Sequence, residues 1–356
     1  MKIHSLEYEL LELRLAEPYA IAYETVHSSA NIILKVITRE GQVGYGCACP
    51  DWHVTGERPH EVLRHLEGPV TDLLTGEPAF RRRYYHEQLK THSGLGPSAL
   101  AMVDMALLDL MARKAGVPLY QLLGGYRNRM ATSITIGILP LDQTLDHAER
   151  FLKQGFRILK LKGGAHLEED IEKVHRLRER FGPGFDLWFD ANQGYTAEQA
   201  IRFISMTREA RIEILEQPTP TADPESLGKV SREVPIPVMA DESIKSLADA
   251  FHLTSGEMID MVNIKIQKVG GIQEAGHINS VARAGGLEVM VGCLDECGLG
   301  ISAGLHFALS RPNIQYADLD GHLDLVDDPF GQLFSLKDGV LIPSDSPGLG
   351  PIPTGI

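Results

Sequence analysis

The sequence predicts a parallel β/α barrel of the TIM type, preceded by an α+β unit and followed by a loop-rich tail. Two observations predict it. From about residue 126 the chain alternates short apolar strands with amphipathic helical stretches, through eight strand cores. Carboxylates then recur at consecutive strand ends at one strand-helix spacing, the edge at which such barrels gather their chemistry. At 356 residues the chain is long enough for both units and an extensive core.

Residues 1–125 read as the α+β unit. The stretch "NIILKVITREGQVGYGCACP" alternates around a turn, as a strand pair does, and "SALAMVDMALLDLMARKAGVPLYQLLGG" is the clearest helix. Ala101, Val103, Leu107, Leu108, Met111 and Ala112 fall near a helical period, and Gly116 and Pro118 stop it. Residues 126–322 carry the strand cores "TSITIGIL", "RILKLKGG", "LWFDANQG", "IEILEQP", "IPVMADES", "VNIKIQKVGG", "LEVMVGC" and "IQYADLDG". Helical stretches such as "LDQTLDHAERFLKQG", "LEEDIEKVHRLRERF" and "TAEQAIRFISMTREA" separate them. The tail, 323–356, holds a short strand pair and is expected to pack back on the first unit.

Composition narrows the function. The formal net charge of −14 argues against a nucleic-acid or anionic-membrane partner. No window offers the roughly 18 apolar residues of a membrane span, and the mixed charges of the first twenty residues lack the apolar core of a signal peptide. Cys47, Cys49, Cys293 and Cys297 do not match structural-zinc spacings and read as reduced thiols, so a cytoplasmic setting is expected. Gly44 and Gly46 lack the third glycine of a nucleotide fingerprint. Gly163-Gly164 and Gly270-Gly271 read as tight turns beside a substrate rather than as phosphate cradles. His306, on an apolar helix, reads as a core histidine.

Asp190, Glu216 and Asp241 end the third, fourth and fifth barrel strands, 26 and 25 residues apart. Three converging carboxylates repel unless a cation neutralises them, and an all-oxygen set with room for water and substrate favours Mg²⁺ over zinc. Lysines flank the set: Lys160 and Lys162 end the second strand, two residues apart and so on one face, and Lys265 ends the sixth. A carbon-bound proton beside a carboxylate is a very weak acid, because its removal adds a second charge to an anion, and a bound metal stabilises that charge. Lys160 and the metal would favour a neutral Lys162, a usable base. With Lys265 on the other face, one amine takes the proton and the other returns it, which inverts the carbon; the same groups could also serve β-elimination.

These residues make the chain similar to the enolase superfamily, in the subgroup of muconate lactonizing enzymes. The resemblance runs over nearly the whole chain: "DMALLDLMARKAGVPLYQLLGG", "LKLKGG", "FDANQGY", "EQP", "ADES", "NIKIQKVGG" and "MVGC". A Lys or His base with a metal-stabilised ene-diolate is the known chemistry of that superfamily. The resemblance implies an α+β capping domain over a (β/α)₇β barrel. It implies Lys162 and Lys265 as the acid/base pair supported by Lys160, and Asp190, Glu216 and Asp241 as ligands of one Mg²⁺ per subunit. Asp318 and Asp320, two apart at the eighth strand, resemble the Asp-x-Asp that holds the α-ammonium in dipeptide epimerases, and a cation in a closed pocket does need an opposite charge. Relatives such as o-succinylbenzoate synthase, N-acyl amino acid racemase and the cycloisomerases stay as alternatives, and a homo-oligomer stays open. Two stretches depart from the pattern: "GYGCACP" has Cys47 where the family usually has Glu, and "GCLDECGLG" differs at the seventh strand end. Thr135, Cys293, Asp295, Glu296 and Asp51 are expected to line the substrate pocket, with Glu24 nearby. These acids would favour cationic over acidic dipeptides. Trp52 and His53 are candidates to line the same pocket.

Overall fold

The structure is a computed structural model that describes residues 1–20, 25–92 and 94–353, the side chains of 18–20 and 25 excepted. Three antiparallel strands, β1 (Ile3–Ala20), β2 (Thr25–Thr38) and β3 (Val43–Ala48), form the sheet of the cap. Alternation along β2 splits its side chains between two cores. Ile32, Leu34 and Val36 join the cap core with Leu66, Val70 and Tyr85, whereas Ile33 faces the main core of the barrel.

The helix Pro97–Ala115 is the wall between those cores. It opens on Pro97 in its first turn and closes on Gly116, whose φ of 72° suits the left-handed cap. Ala101, Met105, Leu108 and Ala112, spaced three or four apart, face the barrel, and Met102, Val103, Ala106 and Leu110 face the cap. β3 crosses this helix so closely that a Cβ at Gly46 would lie 2.0 Å from the Met102 carbonyl oxygen and one at Gly44 would lie 2.2 Å from that of Ala106. The "GYG" stretch is therefore a packing device.

After a short β4 (Met130–Ala131) come the eight parallel strands: β5 (Ile134–Ile136), β6 (Ile158–Lys162), β7 (Asp186–Asp190), β8 (Ile212–Glu216), β9 (Val238–Ala240), β10 (Met261–Lys265), β11 (Glu288–Gly292) and β12 (Ile314–Asp318). Their spatial order is their chain order, as in a barrel. A backbone hydrogen bond from Ser133 N–H to the Ala317 carbonyl brings the two ends together. Helices Leu141–Lys153, Leu167–Phe181 and Ala197–Met206 occupy the stretches expected of them.

In the tail, β13 (Phe334–Lys337) pairs with β14 (Val340–Pro343), which pairs in turn with β4. The chain then returns to the dividing helix, where Leu349 N–H donates to Asp109 and Arg113 donates to the Gly350 carbonyl. No helix among the described residues is long and apolar enough to cross a membrane.

Candidate active site

Alternation along the strands sorts the barrel into an outer and an inner set. Leu159, Leu161, Phe189, Leu215, Val262, Ile264, Val289 and Val291 point outward into the main core beneath the helices. Trp188, Ile214, Met239, Met261 and Met290 point inward and form an apolar plug, with Ile158 and Tyr316 against it. Two residues further along the same strands, the inward positions turn polar.

Strand register fixes how those polar groups meet. Lys162 pairs with Asp190, and Asp190 with Glu216, so the three share one level. Asp241 directly follows β9, and Lys265, Gly292 and Asp318 align across β10 to β12. β6 and β10 stand four places apart in an order of eight. Lys162 and Lys265 therefore reach the central cavity, of about 1060 Å³, from opposite walls.

The carboxylates are buried and crowded. The Lys160 ammonium lies 3.5 Å from Asp190, 3.3 Å from Glu216 and 2.5 Å from Asp318. Asn263 donates to the other Glu216 oxygen at 2.7 Å. Lys265 is 2.8 Å from one Asp241 oxygen and Lys268 2.5 Å from the other. Burial is the largest influence on the Glu216 carboxyl; Lys160 lowers it, the charges of Asp190, Asp241 and Asp318 raise it, and it is pushed up to about 8. Burial would raise Asp241 too, but the ammoniums of Lys265 and Lys268 hold it well below the carboxylate range.

The donor set fits a divalent cation. Asp190, Glu216, Asp241, Glu242, Asp318 and Asp320 gather around Lys160, Lys162, Lys265 and Lys268, six carboxylates to four ammoniums and so a formal excess of two negative charges within this cluster. Oxygen ligands of this kind suit Mg²⁺. Glu242 is pushed up to about 7, chiefly by burial and then by the charges of Asp241 and Asp190.

Both units of the chain match known families. Residues 8–124 match the mandelate racemase / muconate lactonizing enzyme N-terminal domain, and residues 143–352 match the enolase C-terminal domain-like family. The chain belongs to the mandelate racemase and muconate lactonizing enzyme family of the enolase superfamily. Within it, the chain is 37% identical to the hydrophobic dipeptide epimerase of Enterococcus faecalis, over 98% of this chain and 99% of that one. It is 35% identical to the L-Lys-D/L-Arg epimerase of Methylococcus capsulatus over the same shares. Crystal structures of dipeptide epimerases from these two organisms, with Mg and L-Leu-L-Tyr and with Mg and L-Arg-D-Lys, superpose at TM-scores of 0.94 and 0.93 and 36% and 35% identity, over 98% of this chain and 99% of each. The substrate-liganded L-Ala-D/L-Glu epimerase of Bacillus subtilis superposes at 0.95, with 34% identity over 98% of both chains.

Against this family background, the sequence-predicted residues fall into three groups. Lys160, Lys162, Asp241, Lys265, Asp318, Asp320, Thr135, Cys293, Asp295 and Asp51 all line the cavity, as do Trp52 and His53, and Asp190 and Glu216 contact Lys160 at 3.5 and 3.3 Å. Thr135 donates its backbone N–H to Asp320 at 2.6 Å. Asp51 accepts from the N–H groups of His53 and Val54 and so shapes the cap loop, while the Asp295 carbonyl accepts from Ser29 and Asn31 and ties the barrel to β2.

Glu296 does not join them. Its oxygens accept from Gln267 and the Leu294 N–H, it is buried, and it is absent from the cavity wall, so its expected contact with a substrate side chain gives way to a structural one. Glu24 lies outside the described residues. Lys160 also differs from expectation: it is enclosed by three carboxylates, one layer deeper than Lys162, rather than standing as an uncompensated cation beside it. Cys47, in place of the family's usual Glu, is buried 3.6 Å from the Cys297 sulfur at the cap–barrel boundary, and all four cysteines are free. His306 is a core histidine, accepting the Tyr120 N–H at 2.9 Å.

Lys268, Asn263, Glu242 and Ser133 join the site without having been among the residues expected from the sequence. Asn263 was legible, since it precedes Lys265 by two and must share its face. Lys268 lies on the helical turn Ile266–Val269, where the strand period no longer applies. Ser133, which donates to Asp318 at 2.6 Å, gave no sequence signal.

Proposed function

We propose that this chain is a Mg²⁺-dependent dipeptide epimerase that inverts the α-carbon of the C-terminal residue. The observation that carries the reading is the placement of Lys162 and Lys265 halfway round the barrel from one another, across a buried carboxylate cluster. A planar carbanion held between them can lose a proton to one amine and gain one from the other.

Asp190, Glu216 and Asp241 would hold Mg²⁺, which supplies Lewis-acid stabilisation of the substrate carboxylate when bound. Lys160 balances charge behind the ligands through Asp190, Glu216 and Asp318. Burial alone would lower the Lys265 ammonium, and the Asp241 carboxylate outweighs it, so Lys265 keeps its proton more tightly than an ordinary lysine. That suits Lys265 to the proton-donating role until Asp241 is engaged elsewhere. The related epimerases crystallised with Mg and a dipeptide support both the metal and the substrate class.

Asp320 is the better placed of the two aspartates to receive the α-ammonium. Asp318 is held by Ser133 on one oxygen and by the Lys160 ammonium on the other, whereas Asp320 accepts the Thr135 N–H on one oxygen and only a long contact of 3.9 Å from the Cys293 thiol on the other. Asp51 and Asp295 on the cavity wall favour cationic or neutral side chains over acidic ones. Four free thiols, three of them buried, accord with a reducing cytoplasm. The test is exchange in D₂O with Mg²⁺ and L,L-dipeptides. Deuterium at the second residue with conversion to the L,D form is expected, both lost on chelation and the conversion lost in Lys162→Ala and in Lys265→Ala; a folded, Mg²⁺-loaded protein exchanging none of them would refute the reading.

A further inference from the structure

Lys268 is about 1% exposed, and its ammonium is surrounded entirely by protein. It donates to one carboxylate oxygen of Asp241 at 2.5 Å, to the main-chain carbonyl of the same residue, and to the Asn263 carbonyl at 3.3 Å. Lys265, three residues earlier, is 2.8 Å from the other carboxylate oxygen. Asp241 is thus gripped on both oxygens from one turn of chain. The two grips differ in kind: Lys265 lines the cavity and can move, whereas Lys268 has no solvent to move into.

That turn is itself anchored to the cap. Gln267 donates to the Cys47 carbonyl and accepts from the Cys49 N–H, both on or next to β3. His86 bonds the Gly270 carbonyl, and the Gln273 N–H donates to Asp104 on the dividing helix. A Cβ at Gly271, whose φ is 110°, would lie 2.9 Å from Asp104, so cap and turn are in direct contact.

We propose that Lys268 is a positioning residue: it holds one oxygen of Asp241 permanently, so that the carboxylate presents only its other oxygen to the cavity. This inference rests on the reading of Asp241 as a metal ligand. A carboxylate free on both oxygens could rotate or bind the ion through both, and a hydrogen-bonded partner behind a ligand fixes its orientation. Positioning and simple electrostatics predict opposite signs for removal of the Lys268 charge. Deleting a cation beside a Mg²⁺ site should, by Coulomb's law alone, tighten Mg²⁺. Loss of an orienting partner should weaken it.

The test is calorimetric titration of Mg²⁺ into the intact wild-type protein and Lys268→Met, with melting temperatures recorded on the same samples. The expected result is a dissociation constant raised roughly tenfold or more in the variant. Unchanged or tighter binding by folded Lys268→Met would overturn the inference while leaving the metal reading standing. Failure of the wild-type protein to bind Mg²⁺ would overturn both. Should Lys268→Met not fold, a crystal structure of the Mg²⁺-loaded wild-type protein decides: Lys268 on one Asp241 oxygen with the metal on the other is expected, and both oxygens on the metal would contradict it.

Discussion

Glu216 shows how a single residue records the chemistry around it. Its carboxyl is pushed up to about 8 from an ordinary 4.5 by burial and by three neighbouring carboxylates. The folded chain then binds this proton more tightly than the unfolded chain, so metal-free stability falls as pH rises from about 4.5 to about 8. A divalent ion displaces the proton, and the gain in melting temperature on adding Mg²⁺ should be larger at about pH 8.5 than at about pH 6. An equal gain at both would remove Glu216 from the ligand set. Asp320 works with the opposite consequence for substrate. Burial, and then the Asp318 charge, push it up to about 6, so it is a carboxylate at neutral pH and loses its charge below that value. KM for a dipeptide should therefore rise as pH falls through about 6, and Asp320→Asn should raise it at neutral pH by roughly tenfold or more, the cost of leaving a buried ammonium unpaired.

At the scale of elements, alternation made most of the site legible. Lys160 and Lys162 had to share a face on β6, and Asp190, Glu216 and Asp241 had to sit at neighbouring strand ends because one strand-helix unit separates each pair. Where the period-two rule stops, so did the reading. Lys268 sits on a helical turn past the end of β10, and Glu296 sits in a loop whose hydrogen bonds turn it inward. β1 was not read as a strand: Glu7, Glu9, Glu12 and Arg14 interrupt its apolar pattern over 18 residues, which an exposed sheet face tolerates. The depth of Lys160 was equally hidden, since a sequence gives the face of a side chain but not its layer. Packing between elements yields its own prediction. Gly46→Ala places a methyl group 2.0 Å from the Met102 carbonyl, and backbone must move to admit it. A loss of about 2 kcal/mol is expected, read as a fall of several degrees in melting temperature. A wild-type melting temperature would show that β3 and the dividing helix are not held at this distance.

Over the whole molecule, the barrel supplies the reactive groups and the cap encloses them. The barrel's carboxylates and lysines approach from the strand ends, while Asp51, Trp52 and His53 come from the cap loop after β3. Ser29 and Asn31 on β2 bond the Asp295 carbonyl, so the cap is docked on the loop after β11. Cap and barrel thus set the side-chain pocket jointly, and the family's reaction can be kept while specificity changes at these loops. In a panel of L,L-dipeptides, those with Lys or Arg should exchange faster than those with Glu or Asp; the reverse order would dismiss Asp51 and Asp295 as specificity residues.

The most direct measurement of the central claim is α-proton exchange in D₂O with Mg²⁺ and pools of L,L-dipeptides, followed by mass spectrometry. The account predicts a gain of one deuterium at the second residue with conversion to the L,D form, both abolished by chelation; conversion falls at least about a hundredfold in Lys162→Ala and in Lys265→Ala, and in one of the two the exchange of the L,L-dipeptide falls with it. Conversion to the L,D form that persists undiminished in either folded variant, or exchange that never appears while the protein binds Mg²⁺, would contradict a two-lysine epimerase.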